Sequence, residues 1–165
     1  MRELAAFLGM APGSLYHHYP SKQHLLLDIL EEFYEELIAA LSNTNKRDGN
    51  RIRAVVRVHL KLYAELPQHF SIALRDSVCL ALGQQQKIWG MSQAYKEKLL
   101  GLLDCSDVCP GGVDPAIGNI IASFLSSAPS WMPDLSSGER RSAILMERVL
   151  TGAIEQLIAF PLNIK

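Results

Sequence analysis

The chain has 165 residues, a formal net charge of −1, and 48% hydrophobic against 20% charged residues. That is ordinary globular composition, with enough length to bury a core. No apolar run approaches the ~20 residues a membrane span requires. The opening MRELAAFLGMAPGS lacks the basic and long apolar regions of a secretory leader. With charge this balanced, any nucleic-acid surface must be a local one. The three cysteines, Cys79, Cys105 and Cys109, are too few and too odd in number for a disulfide framework. They read as reduced thiols in the cytoplasm. Cys105 and Cys109 have no nearby His or third Cys to complete a zinc site, so neither metal nor cofactor is expected.

In chain order, residues 2–8 are good helix formers and Gly9 stops them as a glycine just past a helix end does. Pro12 suits a first helical position, and a second short helix is expected from about Pro12 to Tyr19, interrupted by Pro20. Ser21 is the expected cap of a long helix running to Leu41. There Leu25, Ile29, Phe33, Leu37 and Leu41 recur every four residues, with acids mainly on the other side. Residues 42–50 read as a polar loop. Further helices are expected over Arg51–Glu65, ended by Pro67, then His69–Leu82, followed by Gly83, and Gln84–Asp104. After a loop at 105–113 come a helix from Pro115 to about Ser127, a loop at 129–138, and a closing amphipathic helix, Glu139–Phe160. No hairpin signal or repeat intervenes. The expected fold is all-α with eight helices.

Two short helices around a tight glycine turn make a helix-turn-helix. The run LAAFLGMAPGSLYHHYPSKQHLL, Leu4–Leu26, is much more specific than that spacing. Leu4 and Ala5, Gly9, Ala11, then Gly13-Ser14-Leu15-Tyr16, His18 and Tyr19, Ser21 and Lys22, and Leu25 and Leu26 resemble the signature of the tetracycline-repressor (TetR) family. The resemblance covers about the first forty residues; beyond them only the all-helical architecture agrees. It implies a head, residues 1–24, that binds a palindromic double-stranded DNA operator, and a body, residues 25–165, that binds a ligand and dimerises.

The roles implied for individual residues make chemical sense. Ala11, Pro12 and Gly13 keep the start of the recognition helix small, so the backbone can approach the duplex. Ser14 and Tyr16 offer hydroxyls to phosphate oxygens, contacts that set register rather than sequence. Lys22 adds an ammonium beside the free N–H groups of a helix start. His17 reaches toward a base edge or phosphate, or is a plain surface histidine. Leu4, Leu8, Leu15 and Tyr19 are expected to pack the head. Arg51, Arg53, Arg57 and Lys61, with Lys46 and Arg47, read as a solvated face paired with an acidic helix.

The sequence departs from the family at two points. Members carry another helix ahead of the helix-turn-helix, which here would cover Leu4, Phe7, Leu8 and Leu15; Phe7 alone offers roughly 150–250 Å² to bury. A longer functional protein is therefore the expectation, with a headless ligand-binding dimer as the alternative. Ala11 also stands where a Ser or Thr is usual, losing a helix cap and a phosphate contact.

For the body, the resemblance implies a pocket for a small hydrophobic compound. The aromatic candidates are Tyr63, Phe70, Trp89, Tyr95, Phe124 and Trp131, with His59, Gln93 and Arg75 as polar anchors. Each aromatic has a plain core reading as well. In the last helix, Leu145, Val149, Ala153, Leu157 and Phe160 form one stripe and Met146, Leu150 and Ile154 another. One stripe would face the body and the first a partner copy. No Gly-x-Ser-x-Gly, His-Glu-x-x-His or phosphate-binding glycine loop occurs, so an enzyme is not expected.

Overall fold

A computed structural model describes residues 1–44, 50–103, 113–131 and 140–159. The described residues form helices and turns, with no strand. The two short helices are α1 (Arg2–Phe7) and α2 (Pro12–His18). Gly9 between them has φ of 66°, the left-handed conformation that glycine adopts without a Cβ penalty. Ala11 caps α2 with no side-chain bond, and Pro12 begins it. The head closes over Ala5 and Leu15, both buried. Leu4 is half-buried and the Tyr19 hydroxyl donates to Asp28 at 2.9 Å. Leu8 does not pack as expected: it sits at the end of α1 and is 52% exposed, beside Phe7 at 86%.

Ser21 caps α3 (Lys22–Ser42), its Oγ accepting from the His24 N–H at 3.3 Å. This helix passes from head to body. Leu30 joins Leu80 and Ile88 in a small cluster at the head end, while Phe33, Leu37 and Leu41 enter the main core. Asn50 caps α4 (Arg51–Glu65) by accepting from the Arg53 N–H at 2.8 Å. After one joining residue, Leu66, Pro67 begins α5 (Pro67–Arg75).

The helix expected over His69–Leu82 stops early. Beyond Arg75 the chain tightens into a 3-10 turn, Ser77–Cys79, and Leu80 extends (φ −72°, ψ 154°). The extension inserts the Leu80 side chain into the small cluster. The Gln84 side chain accepts from the Ala81 N–H at 3.0 Å, so α6 starts at Leu82 and runs to Leu103, with Gly83 inside it.

The seventh helix, α7 (Pro115–Trp131), continues past the expected end at Ser127 with Pro129 inside it. Proline has no N–H to give the carbonyl four residues back, which here is that of Leu125. The buried Tyr63 hydroxyl donates to that carbonyl instead. A cross-helix bond thereby replaces the missing ladder bond. The last helix, α8 (Arg140–Ala159), lies along α4 and presents Met146, Leu150, Ile154 and Ile158 to the interior. Arg53 and Arg57 pair with Glu147 of α8 at 3.3 and 3.1 Å, and Lys61 with Glu65 at 3.7 Å. The acid opposite the basic face therefore comes mainly from α8. Lys46, Arg47, Cys105, Cys109 and Phe160 lie outside the described residues, as does the side chain of Trp131.

Candidate nucleic-acid interface and body cavities

Ala11, Pro12, Gly13, Ser14, Tyr16 and His17 are all exposed on or beside α2, with Tyr16 at 44%. Lys22, the first residue of α3, is exposed as well. The six therefore share one short segment, and the ammonium of Lys22 stands at the start of the next helix. His17 and His18 rest edge to face, ring centroids 5.5 Å apart. The Asp28 carboxylate that accepts the Tyr19 hydroxyl also raises that phenol's pKa, first through the bond and then through its charge.

A chain of hydrogen bonds fastens this head to the body. Gln23, one residue beyond Lys22, donates through Nε2 to the carbonyl of Cys79 at 3.0 Å. Cys79 closes the 3-10 turn, and Gln85 of α6 donates to the carbonyls of Leu80 at 2.8 Å and Val78 at 3.2 Å. Lys87 of α6 meets Glu31 of α3 at 2.5 Å. The turn thus bonds to α3 on one side and α6 on the other.

The same turn walls an outer cavity of about 420 Å³, lined by Tyr34, Ser77, Val78, Leu82, Gln85, Gln86, Ile88, Trp89 and Ser92. A second, inner chamber of about 200 Å³ lies between α3, α5, α6 and α7. Phe33, Tyr34, Phe70, Ala73, Leu74, Ser92, Tyr95, Lys96, Ala122, Ser123 and Ser126 line it. Tyr34 and Ser92 belong to both walls. Burial raises the pKa of the Tyr34 phenol, and a hydrogen bond from Ser92 opposes the shift.

Behind the chamber runs a sealed polar chain. The Val55 carbonyl can only accept, so the His59 Nδ1–H donates to it, at 2.9 Å. Neutral His59 then accepts at Nε2 from the Tyr95 hydroxyl, at 2.8 Å. Ser126 bonds to the same phenol. His59 is fully buried, and that burial lowers its pKa from 6.5 to about 4. Burial also raises the phenols of Tyr95 and Tyr63.

The expected pocket residues divide accordingly. Phe70, Tyr95 and Trp89 line the cavities, Trp89 while 66% exposed. His59 and Tyr63 line neither; they are tied to Val55 and Leu125 in the core. Gln93, Phe124 and Arg75 also line neither, and Phe124 packs against the core. Tyr34, Ser92 and Lys96, which also line the cavities, were not singled out from the sequence. Their spacing gave a signal, because Tyr95 and Lys96 each lie about one turn from Ser92 on α6.

On α8, Leu145 is 51% and Val149 53% exposed, with Ala153 and Leu157 half-buried. Ile144 and, on α7, Ile120 add exposed apolar surface. Among the described residues there is no group of three or more His, Cys, Asp or Glu placed to hold a metal ion. No described helix is long and apolar enough to cross a membrane.

The glycine-turned pair of short helices is borne on a long helix that enters an all-α body. Residues 1–29 match the family model of bacterial regulatory proteins, tetR family. No curated protein matches the sequence. Among solved structures, the chain is similar to a bacterial regulatory protein of the tetR family from Rhodococcus. There the TM-score is 0.80 at 20% identity, over 97% of this chain and 86% of that one. It is also similar to the TetR-family transcriptional regulator PfmR from Thermus thermophilus. That match has a TM-score of 0.75 at 22% identity, over 98% of this chain and 88% of the other. The opening residues thus match the family's model, and the chain as a whole shares its fold with these two TetR-family structures.

Proposed function

We propose that the chain is a repressor that binds a palindromic DNA operator as a homodimer and is released by a small hydrophobic ligand. Residues 1–24 form the DNA head and 25–165 the ligand-binding and dimerisation body, acting in the cytoplasm. The observation that carries the reading is the Gln23–Cys79 bond: it joins the helix start bearing Lys22 to the turn that walls the outer cavity. A ligand that displaces Val78 or Gln85 in that wall disturbs the anchor of α3. Release requires that the ligand bind the displaced arrangement more tightly than the DNA-bound one. The exposed face of Leu145 and Val149 supports pairing of two copies, with heads set for half-sites about 34–36 Å apart or a multiple of that.

The test is titration of DNA from just upstream of the gene, followed by fluorescence anisotropy at several salt concentrations. Affinity should fall steeply with salt. Lys22→Ala should weaken all sequences alike and reduce the salt slope by about 1. Absent or salt-independent binding would favour a ligand-binding dimer without DNA activity.

A further inference from the structure

The inner chamber combines two features that together select a ligand class. Its walls at Phe33, Phe70 and Ala122 are apolar, yet Lys96 lines it half-buried. Among the described residues no carboxylate pairs with Lys96. An anion that enters the chamber therefore meets a cation that no described carboxylate already pairs. The second feature is the direction of the hydroxyls. The Ser92 hydroxyl bonds to the Tyr34 phenol, which leaves the phenol's own proton for a further acceptor. The Tyr95 proton is already committed to His59. Of the groups left to meet a ligand, the ammonium of Lys96 and the hydroxyl of Tyr34 are donors, and the Ser123 hydroxyl can donate or accept. Tyr34 also borders the larger outer cavity, whose Val78, Leu82, Ile88 and Trp89 suit an apolar chain.

We propose that the ligand of this body is an amphipathic carboxylate, its charged head held by Lys96 and Tyr34 in the inner chamber and its apolar tail in the outer cavity. The inference rests on the ligand-release reading above and narrows it from any hydrophobic compound to an organic anion. Lys96 supplies a charge-assisted bond that a neutral ligand of the same length cannot use. The tail lies against Val78, in the turn that holds Gln23, so occupancy of the outer cavity is what reaches the head.

Calorimetric titration of the intact protein with decanoate and with 1-decanol separates the possibilities, since the two share a tail and differ in head charge. Decanoate should bind about ten- to a hundredfold more tightly. Lys96→Met should abolish that preference and leave the decanol affinity unchanged, while Lys96→Arg should keep most of it. In a Trp131→Phe background, either ligand should shift the Trp89 emission to the blue. Equal binding of the two ligands, or a preference that survives Lys96→Met, would overturn the anionic assignment and leave the ligand pocket standing. Binding with no Trp89 response would overturn the placement of the tail. Failure of both ligands to bind would overturn the amphipathic-carboxylate assignment and leave the ligand-release reading to compounds of another kind.

Discussion

At the scale of single residues, the body is built around polar groups that satisfy one another out of reach of water. His59 is the clearest case. In the folded chain burial keeps it neutral down to about pH 4, whereas the unfolded side chain takes up a proton from about 6.5 downward. The unfolded state therefore binds more protons within that window. Stability from this group is complete above pH 6.5 and is lost as pH falls toward 4. Between pH 6.5 and 5 the loss should be about 2 kcal/mol, read from urea unfolding at each pH. His59→Gln should flatten that slope; an unchanged slope would assign the loss to other groups. Tyr63 and Pro129 form a second such unit. Tyr63→Phe strands the Leu125 carbonyl and should cost about 1–3 kcal/mol. Pro129→Ala restores an N–H to that carbonyl, so the double variant should recover most of the loss. Additive single effects in the thermodynamic cycle would refute the coupling. Both histidine and tyrosine read from the sequence as ligand contacts, because periodicity identifies a buried face without saying which acceptor lies across it.

At the scale of elements, the helices came through where local chemistry was unopposed. Gly9, Ser21 and the four-residue spacing of α3 each act within a turn or two of chain, and α4 begins and ends where its letters indicate. The errors fall where a long-range partner decides. Residues 76–81 have helical letters, yet the chain leaves the helix so that Leu80 can meet Leu30 and Ile88. Proline at 129 reads as a helix stop, but a hydroxyl from another helix compensates for it. Close packing of α6 on α7 is likewise a tertiary property. A Cβ at Gly118 would meet the Leu100 side chain, with Cγ at 2.7 Å. Gly118→Val should therefore destabilise by about 1–3 kcal/mol through overpacking. Gly118→Ala should be closer to neutral, since helix propensity returns up to about 1 kcal/mol. Thermal unfolding of the two variants checks the order, and a valine variant as stable as the parent would show that Leu100 yields freely.

At the scale of the whole molecule, the segment to which the resemblance assigns DNA contacts was readable as a unit because it is local: Ala11–His17 and Lys22 lie together on one exposed stretch, apart from the buried Leu15. The cavities were not, since their walls gather side chains from several segments far apart in the chain. The exposed stripe on α8 belongs to an intermediate case, in which the helical period separates two faces but cannot name the partner. If that stripe joins two copies, Leu145→Glu with Val149→Glu should give a monomer by analytical ultracentrifugation. Its circular dichroism should be unchanged and its operator binding lost. A dimer that persists would move the interface elsewhere.

The division of α3 between two clusters has a kinetic consequence. Its C-terminal half contributes three side chains to the large core, whereas its head end is held by Leu30 in the small cluster with Leu80 and Ile88. Opening free energy follows local burial, so the helix should fray directionally, like a rod set in mortar at one end and resting in a clip at the other. Amide hydrogen exchange should then be fast near Lys22–Asp28 and slow near Phe33–Leu41. A ligand tail in the outer cavity should alter exchange most at the fast end. Uniform protection along α3 would mean that head and body open as a single unit.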